Sequence, residues 1–152
     1  MLFRSVAEVG EEKDIRLVFV AHHCEPEPEI AELAKSLPIV YVSADDRELT
    51  EIMSVCSCLA YTSAIEGFGL PILEGLYSGI QVIASDILPH REAGMGFWDS
   101  IQYFDPFDSE ALFRVLINCY NGREKKVNPE TLNNRRNQIE AMSSQQIGRA
   151  HV

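Results

Sequence analysis

The sequence predicts an α/β fold with a doubly wound parallel sheet, and two patterns support this class. First, short apolar runs alternate with segments whose apolar residues recur at helical spacing, as in consecutive β-α-β units. Second, a glycine-containing loop and a proline follow one of these runs, which is typical of a strand-to-helix turn at the ligand-binding edge of such a sheet. The predicted strands are Arg16–Ala21, Ile39–Val42, Cys58–Tyr61, Gln81–Ala84 and Ile101–Phe104.

Residues that begin or end helices define the segments between the strands. Asp45, with Glu48 three positions later, forms a capping-box pattern, and Gly79 suits the left-handed position that ends a helix. Asp108 and Asn128-Pro129 begin the last two helical patterns. The predicted helices cover residues 28–37, 45–54, 71–78, 108–122 and 128–142.

Composition limits the classes of function. The 152 residues suffice for one domain with a real core, and the formal net charge of -10 argues against binding to nucleic acid. No apolar run approaches the length of a transmembrane helix, and no signal-peptide pattern opens the chain. Four cysteines show neither a C-x-x-C pair nor metal-ligand spacing. We therefore expect a reduced cytoplasmic protein without a structural metal.

The segment 62–74 carries the most chemical information. Gly67 and Gly69 are expected to allow positive φ and a close approach of the backbone, while Pro71 suits the first turn of a helix. The amides of the loop and the positive end of the helix dipole favour a phosphate group. Carboxylates repel phosphate but bind hydroxyls, so Glu66 and Glu74 are interpreted as sugar or ribose ligands on either side of a phosphate site.

The run Ser63-x-x-Glu66-Gly67-Phe68-Gly69-Leu70-Pro71-x-x-Glu74 resembles the donor-binding signature of retaining GT-B glycosyltransferases, typified by glycosyltransferase family 4. Similar pieces follow in order over residues 79–86, 89–92 and 103–108. The resemblance covers about residues 15–121 and implies a Rossmann-like domain, the C-terminal half of a GT-B fold, over residues 1–142. It also implies a nucleotide sugar as substrate, with neither metal nor other cofactor.

The resemblance implies a role for each residue of the signature. Glu74 would accept hydrogen bonds from the ribose, and Glu66 would contact the transferred sugar and act as the catalytic carboxylate. The backbone at Gly67, Phe68, Gly69 and Leu70 would bind the diphosphate and sugar, and Val42 would lie at the edge that reads the base. Thr62 and Ser63 either bind a phosphate oxygen or cap the turn.

The implied function is transfer of a hexose, with retention, from a UDP-, GDP- or ADP-sugar to a glycan or lipid-linked acceptor, as in polysaccharide biosynthesis. A GT-B sugar-nucleotide epimerase and a non-catalytic nucleotide-sugar-binding or interaction domain are the alternatives. The full-length protein is expected to be cytoplasmic or peripheral to the membrane.

The chain is expected to be a fragment. A complete donor domain of this family would begin with a further strand and a glycine-arginine-leucine turn followed by a lysine, and an acceptor domain would precede it. Residues 143–152 are interpreted as a tail, in which 147–152 match the translation of a sequencing adapter. Without the basic opening turn, we expect weak donor binding and no transferase activity from the chain alone.

Several residues outside the signature are expected to serve the structure rather than to bind a ligand. Asp86 and Glu92 are expected to cap a short helix around His90 rather than to contact a ligand. His22 and His23 follow a predicted strand without partner carboxylates and are interpreted as surface residues. Phe97 and Trp98 are interpreted as packing residues or part of a lid.

Overall fold

The computed structural model describes residues 16–21, 28–33, 35, 39–122 and 127–149. His22, His23 and Cys24 lie outside the described residues. Side chains are described as far as Met142.

Two parallel strands form a first sheet. Strand β1 (Leu17–Ala21) pairs with β2 (Ile39–Ser43) in a register that runs from Leu17 opposite Ile39 to Ala21 opposite Ser43. Helix α1 (Pro28–Leu33) lies between them in sequence, and α2 (Asp46–Val55) leads from β2 to the next strand.

Three parallel strands form a second sheet in the order β3-β4-β5. These strands are β3 (Cys58–Tyr61), β4 (Gln81–Ser85) and β5 (Ile101–Phe104), and the helices that follow are α3 (Leu70–Ser78), α4 (Leu88–Ala93), α5 (Ser109–Gly122) and α6 (Pro129–Arg149). A short 3-10 turn over Trp98–Ser100 precedes β5. Because neighbouring strands are parallel, the loops after β3, β4 and β5 meet at one edge.

The central strand β4 separates two layers of core. Val82 and Ala84 face a cluster with α3 and α6, whereas Ile83 faces Leu112 and Cys119 of α5. All three strand residues are fully buried. Side chains alternate between the two faces of a strand, so helices cover both faces of this sheet. The predicted α/β, Rossmann-like class is confirmed.

Most predicted elements match to within one residue, with three differences. Helix α1 ends at Leu33 rather than at Leu37, and residues 34 and 36–38 lie outside the described residues. The pairing divides the strands into sheets of two and three, and no strand of the described residues joins them. Helix α6 continues to Arg149 rather than ending near Met142. The prediction set residues 143–152 apart as a tail, but no proline or glycine interrupts the helix before Gly148.

Candidate functional site

The loop from Thr62 to Gly69 connects β3 to α3 at the carboxyl edge of the second sheet. The Ser63 hydroxyl donates to the Ile65 carbonyl at 3.0 Å, and the Ser63 carbonyl accepts a hydrogen bond from the Ser85 hydroxyl at the end of β4. Helix α3 begins after Gly69, and no side chain caps its first turn. The positive end of the α3 dipole therefore faces the loop without a side-chain acceptor in front of it.

The two glycines of the loop differ in backbone conformation, which corrects the sequence prediction. Gly69 has φ of 94°, in the left-handed region, whereas Gly67 is not among the glycines with positive φ. A Cβ atom at Gly67 would have no heavy atom within 4 Å. The backbone conformation therefore requires a glycine at position 69 but not at position 67. At Gly67 the absence of a side chain leaves open space beside the loop.

Glu66 lies beside β3 and the loop backbone. A hydrogen bond from the Tyr61 side chain is the main cause that lowers the pKa of its carboxyl, and the nearby Ser63 side chain lowers it further. The positive charge that His90 can carry and the Gly67 backbone N–H act in the same direction. Donors that favour the charged form keep this carboxylate ionised at neutral pH, as stabilisation of a developing positive charge requires.

Glu74 lies one turn into α3, on its exposed side. Burial raises the pKa of its carboxyl, and the neighbouring carboxylate of Asp46 raises it further. Asp46 opens α2, three residues after β2 ends, so Glu74 faces the carboxyl end of the first sheet. The pKa of Tyr61 is raised first by burial, and the charges of both Glu66 and Glu74 raise it further. The two glutamates thus act on one side chain, at the end of β3.

A cavity of about 660 Å³ runs along α3, with α2 and α6 as its other walls. Leu70, Leu73 and Glu74 line the end beside the glycine loop, and Asp46 lies opposite. Glu66 is not among its lining residues. The apolar walls and carboxylates suit a planar ring with attached hydroxyls more than a phosphate. Loop residues 66–69 lie outside the lining of the cavity.

The remaining predicted residues occupy different surroundings. Thr62 is half-buried, Phe68 packs against the core cluster below the loop, and Leu70 is 60% exposed. Val42 lies in β2, opposite Val20 of β1. β2 pairs only with β1 among the described strands, so alternate backbone groups along it point away from the sheet.

Asp86 does not cap the helix around His90, contrary to the sequence prediction. Its two carboxylate oxygens accept from Nε and Nη2 of Arg91 at 2.6 and 2.7 Å, and no side chain caps α4 at Ile87. A bidentate arginine pair outcompetes a single backbone donor for this carboxylate. Glu92 is exposed on α4. Phe97 is buried in the core, while the half-exposed Trp98 lies beside Tyr103 and Arg91.

Sequence reasoning missed the buried polar groups behind the loop. The His90 side chain is fully buried, and its Nδ1 lies 2.9 Å from both the hydroxyl and the carbonyl oxygen of Ser85. Tyr61 lies against the same ring, with ring centroids 4.8 Å apart. No spacing rule could have found this cluster, because β3, β4 and α4 each contribute one residue and only their packing joins them.

The described part of the chain also bears on metal binding and on membrane insertion. No group of three histidine, cysteine or acidic side chains there is placed to bind a metal ion. None of the helices described combines the length and apolar character needed to span a bilayer. Cys56, Cys58 and Cys119 are free thiols.

The chain belongs to the glycosyl transferases group 1 family, whose model matches residues 1–121. This confirms the resemblance drawn from the glycine-loop signature.

A solved structure shares the fold. HepE (Alr3699) from Anabaena, whose crystal structure was determined in complex with UDP, superposes with a TM-score of 0.70 at 17% sequence identity. The match covers 97% of this chain and 44% of HepE, so the chain spans less than half the length of that protein. No curated protein is a significant match for the sequence.

Proposed function

We propose that this chain is the donor-binding domain of a retaining glycosyltransferase and that it binds a nucleotide sugar at the edge formed by β2, β3 and β4. The observation that carries the proposal is the arrangement around Tyr61. An uncapped helix begins at a glycine loop, with one carboxylate on each side, beside a cavity wide enough for a nucleoside. Membership of the family and the UDP complex of HepE support a nucleotide ligand.

The proposed pose assigns each part of the ligand to a feature of suitable chemistry. The diphosphate lies at the backbone of loop residues 67–70, in front of the α3 dipole. The ribose hydroxyls donate to Glu74 in the cavity, with the base towards Val42 at the outer edge of β2. The sugar then lies over Glu66, and Thr62 and Ser63 support the loop below the phosphates.

Glu66 is the proposed catalytic carboxylate. When the bond between the sugar and the diphosphate breaks, positive charge develops on the sugar ring, and an ionised carboxylate close to it stabilises that state more than the ground state. The hydrogen bond from Tyr61 and the nearby Ser63 side chain lower the pKa of Glu66 and so keep it in the required ionised form.

Titration of the isotopically labelled chain with UDP-, GDP- and ADP-sugars tests donor binding. Amide NMR shifts suit this test because they report millimolar as well as micromolar affinity. We expect weak saturable binding that moves the signals of Gly67 and Gly69. We also expect Glu74→Gln to weaken binding about tenfold, since hydrogen bonds to charged groups contribute about 1.5–3 kcal/mol.

Glu92→Gln is the matched control, because Glu92 is an exposed glutamate on the neighbouring helix, and it should bind like the unchanged chain. Shifts confined to residues far from the loop, or an equal loss in both variants, would contradict the proposed site.

Transfer itself is proposed for the whole protein, with a hexose passing to a glycan or lipid-linked acceptor held by a second domain. Retention can be tested by joining the chain to its acceptor domain and determining the anomeric configuration of the product by NMR. An inverted product would contradict the proposed mechanism while leaving donor binding intact.

A further inference from the structure

A buried histidine lies directly beneath the glycine loop. The His90 side chain has no exposed surface. A Cβ atom added to Gly69 would lie 2.9 Å from Cδ2 and 3.6 Å from Nε2 of its ring. The Cδ2–Nε2 edge of the imidazole therefore faces the loop and lies against the backbone of Gly69.

The hydrogen bonds around the ring determine where its proton lies. Nδ1 is 2.9 Å from the Ser85 carbonyl oxygen, which can only accept, so Nδ1 carries a hydrogen. The Ser85 hydroxyl donates its own hydrogen to the Ser63 carbonyl. At 2.9 Å from Nδ1 it must therefore accept as well. The neutral ring thus has an unprotonated Nε2, directed at the loop.

Nε2 is a buried polar atom for which no hydrogen-bond partner exists among the described residues. Buried polar atoms nearly always have a partner, so an exception indicates either a functional role or a missing ligand. A proton on Nε2 would place a positive charge under the glycine loop. Histidine is the side chain whose charge ordinarily changes between pH 5 and 8.

The charged groups around the His90 ring differ in whether they can place a positive charge under the glycine loop. Among the groups that set the pKa of Glu66, His90 alone can carry positive charge. Glu74 acts from α3 through Tyr61, and the Tyr103 hydroxyl donates to the His90 carbonyl from β5. On its own helix, Arg91 is paired with Asp86.

We propose that His90 takes up a proton when an anionic diphosphate binds over the glycine loop, so that donor binding and protonation of Nε2 are coupled. This inference rests on the proposed function. The imidazolium acts through the backbone of Gly69, without touching the ligand, and so positions the diphosphate electrostatically. It supplies positive charge that the uncapped helix end supplies only in part. Gly69 has no side chain, so the charge lies close to the ligand.

The coupling predicts a sign for the effect of pH. Because the complex holds more protons than the free chain, raising the pH must weaken binding, by up to about tenfold per pH unit in the range where one proton is taken up. UDP-glucose is the probe, since its diphosphate is esterified at both ends and does not itself titrate between pH 5.5 and 8. The dissociation constant is measured across this range from the amide shifts of Gly67 and Gly69.

His90→Asn removes the titrating nitrogen, while its amide can still donate to the Ser85 carbonyl. We expect this variant to bind about fivefold or more weakly than the unchanged chain at pH 5.5, to show no dependence on pH, and to match the unchanged chain at pH 8. Should the variant fail to fold, the pH slope of the unchanged chain still tests the coupling. The double change His22→Asn with His23→Asn must keep the slope, since it removes two other histidines and leaves His90 in place.

Two results would overturn the inference in distinguishable ways. UDP-glucose that binds equally well from pH 5.5 to 8, or a slope that survives His90→Asn or disappears with the double change at His22 and His23, would exclude His90 as the coupled group and leave donor binding standing. No shift of the loop amides at any pH would overturn both the coupling and the proposed function.

Discussion

Gly69 is the residue on which the loop geometry depends most directly. Its φ of 94° costs a residue with a side chain about 1–2 kcal/mol. The new Cβ would also lie 2.9 Å from Cδ2 of a buried ring that cannot move freely. We expect Gly69→Ala to lower the free energy of unfolding by about 2 kcal/mol or more, measured by urea denaturation.

Gly67→Ala is the matched control, two positions away in the same loop. Gly67 has no positive φ and open space around its Cβ position, so this change should alter stability by about 0.5 kcal/mol or less. Equal losses in the two variants would mean that the left-handed backbone and the contact with His90 do not hold the loop.

Asp86 gives a prediction with a defined pH range. Arg91 lowers the pKa of the Asp86 carboxyl through their hydrogen bonds. The pair therefore stabilises the fold above the unfolded value of about 3.9 and stops doing so as the pH falls through the lower folded value. Because the two side chains are 43% and 42% exposed, solvent limits the contribution to about 1 kcal/mol or less.

Thermal or urea unfolding of the Asp86→Asn variant measures this contribution. Its difference from the unchanged chain should be constant between pH 5 and 7 and should shrink below about pH 4. Asp99→Asn, at an exposed position without this partner, serves as the control. A difference that grows as the pH falls would contradict the assigned ion pair.

At the level of elements, the sequence predicted the ends of helices that are set by contacts between residues close together in the chain. The capping box at Asp45 forms as expected: its Oδ1 accepts from the Glu48 backbone N–H at 2.8 Å, and the Glu48 side chain accepts from the Asp45 N–H at 2.9 Å. Gly79 ends α3 with φ of 82°, and Asp108 accepts backbone N–H groups at the start of α5. Each of these contacts spans only a few residues, so the sequence pattern suffices to predict it.

Features that depend on packing between elements were not predictable in the same way. The choice of Asp86 between a helix cap and Arg91 is made by the position of α4 against β4. The cavity beside Glu74 exists because α6 forms its third wall, from a segment about 65 residues further along the chain. The spacing of Glu66 and Glu74 predicted that both belong to one site. It did not predict that, of these two glutamates, Glu74 alone lines the cavity.

At the scale of the whole molecule, the apolar core is concentrated in the second sheet. Both core clusters are built around β4, which pairs with a strand on each side and whose residues 82–85 are fully buried. Within the described ranges the first sheet has two strands, and Val20 and Val40 are 38% and 47% exposed. Since two-stranded sheets are marginally stable without packing partners, the two sheets should differ in resistance to opening.

Native-state hydrogen exchange measures this difference. We expect β4 amides to exchange only through global unfolding, with rates that rise steeply when low concentrations of urea are added. The β1 and β2 amides should exchange at least about tenfold faster after correction for intrinsic rates, with a shallow dependence on urea, because they open locally. Equal urea dependence in the two sheets would show that they unfold as one unit. In that case Val42 in the first sheet and Glu74 on the helix that follows β3 would be held together by the cooperativity of the fold before any ligand binds, rather than brought together by the nucleotide.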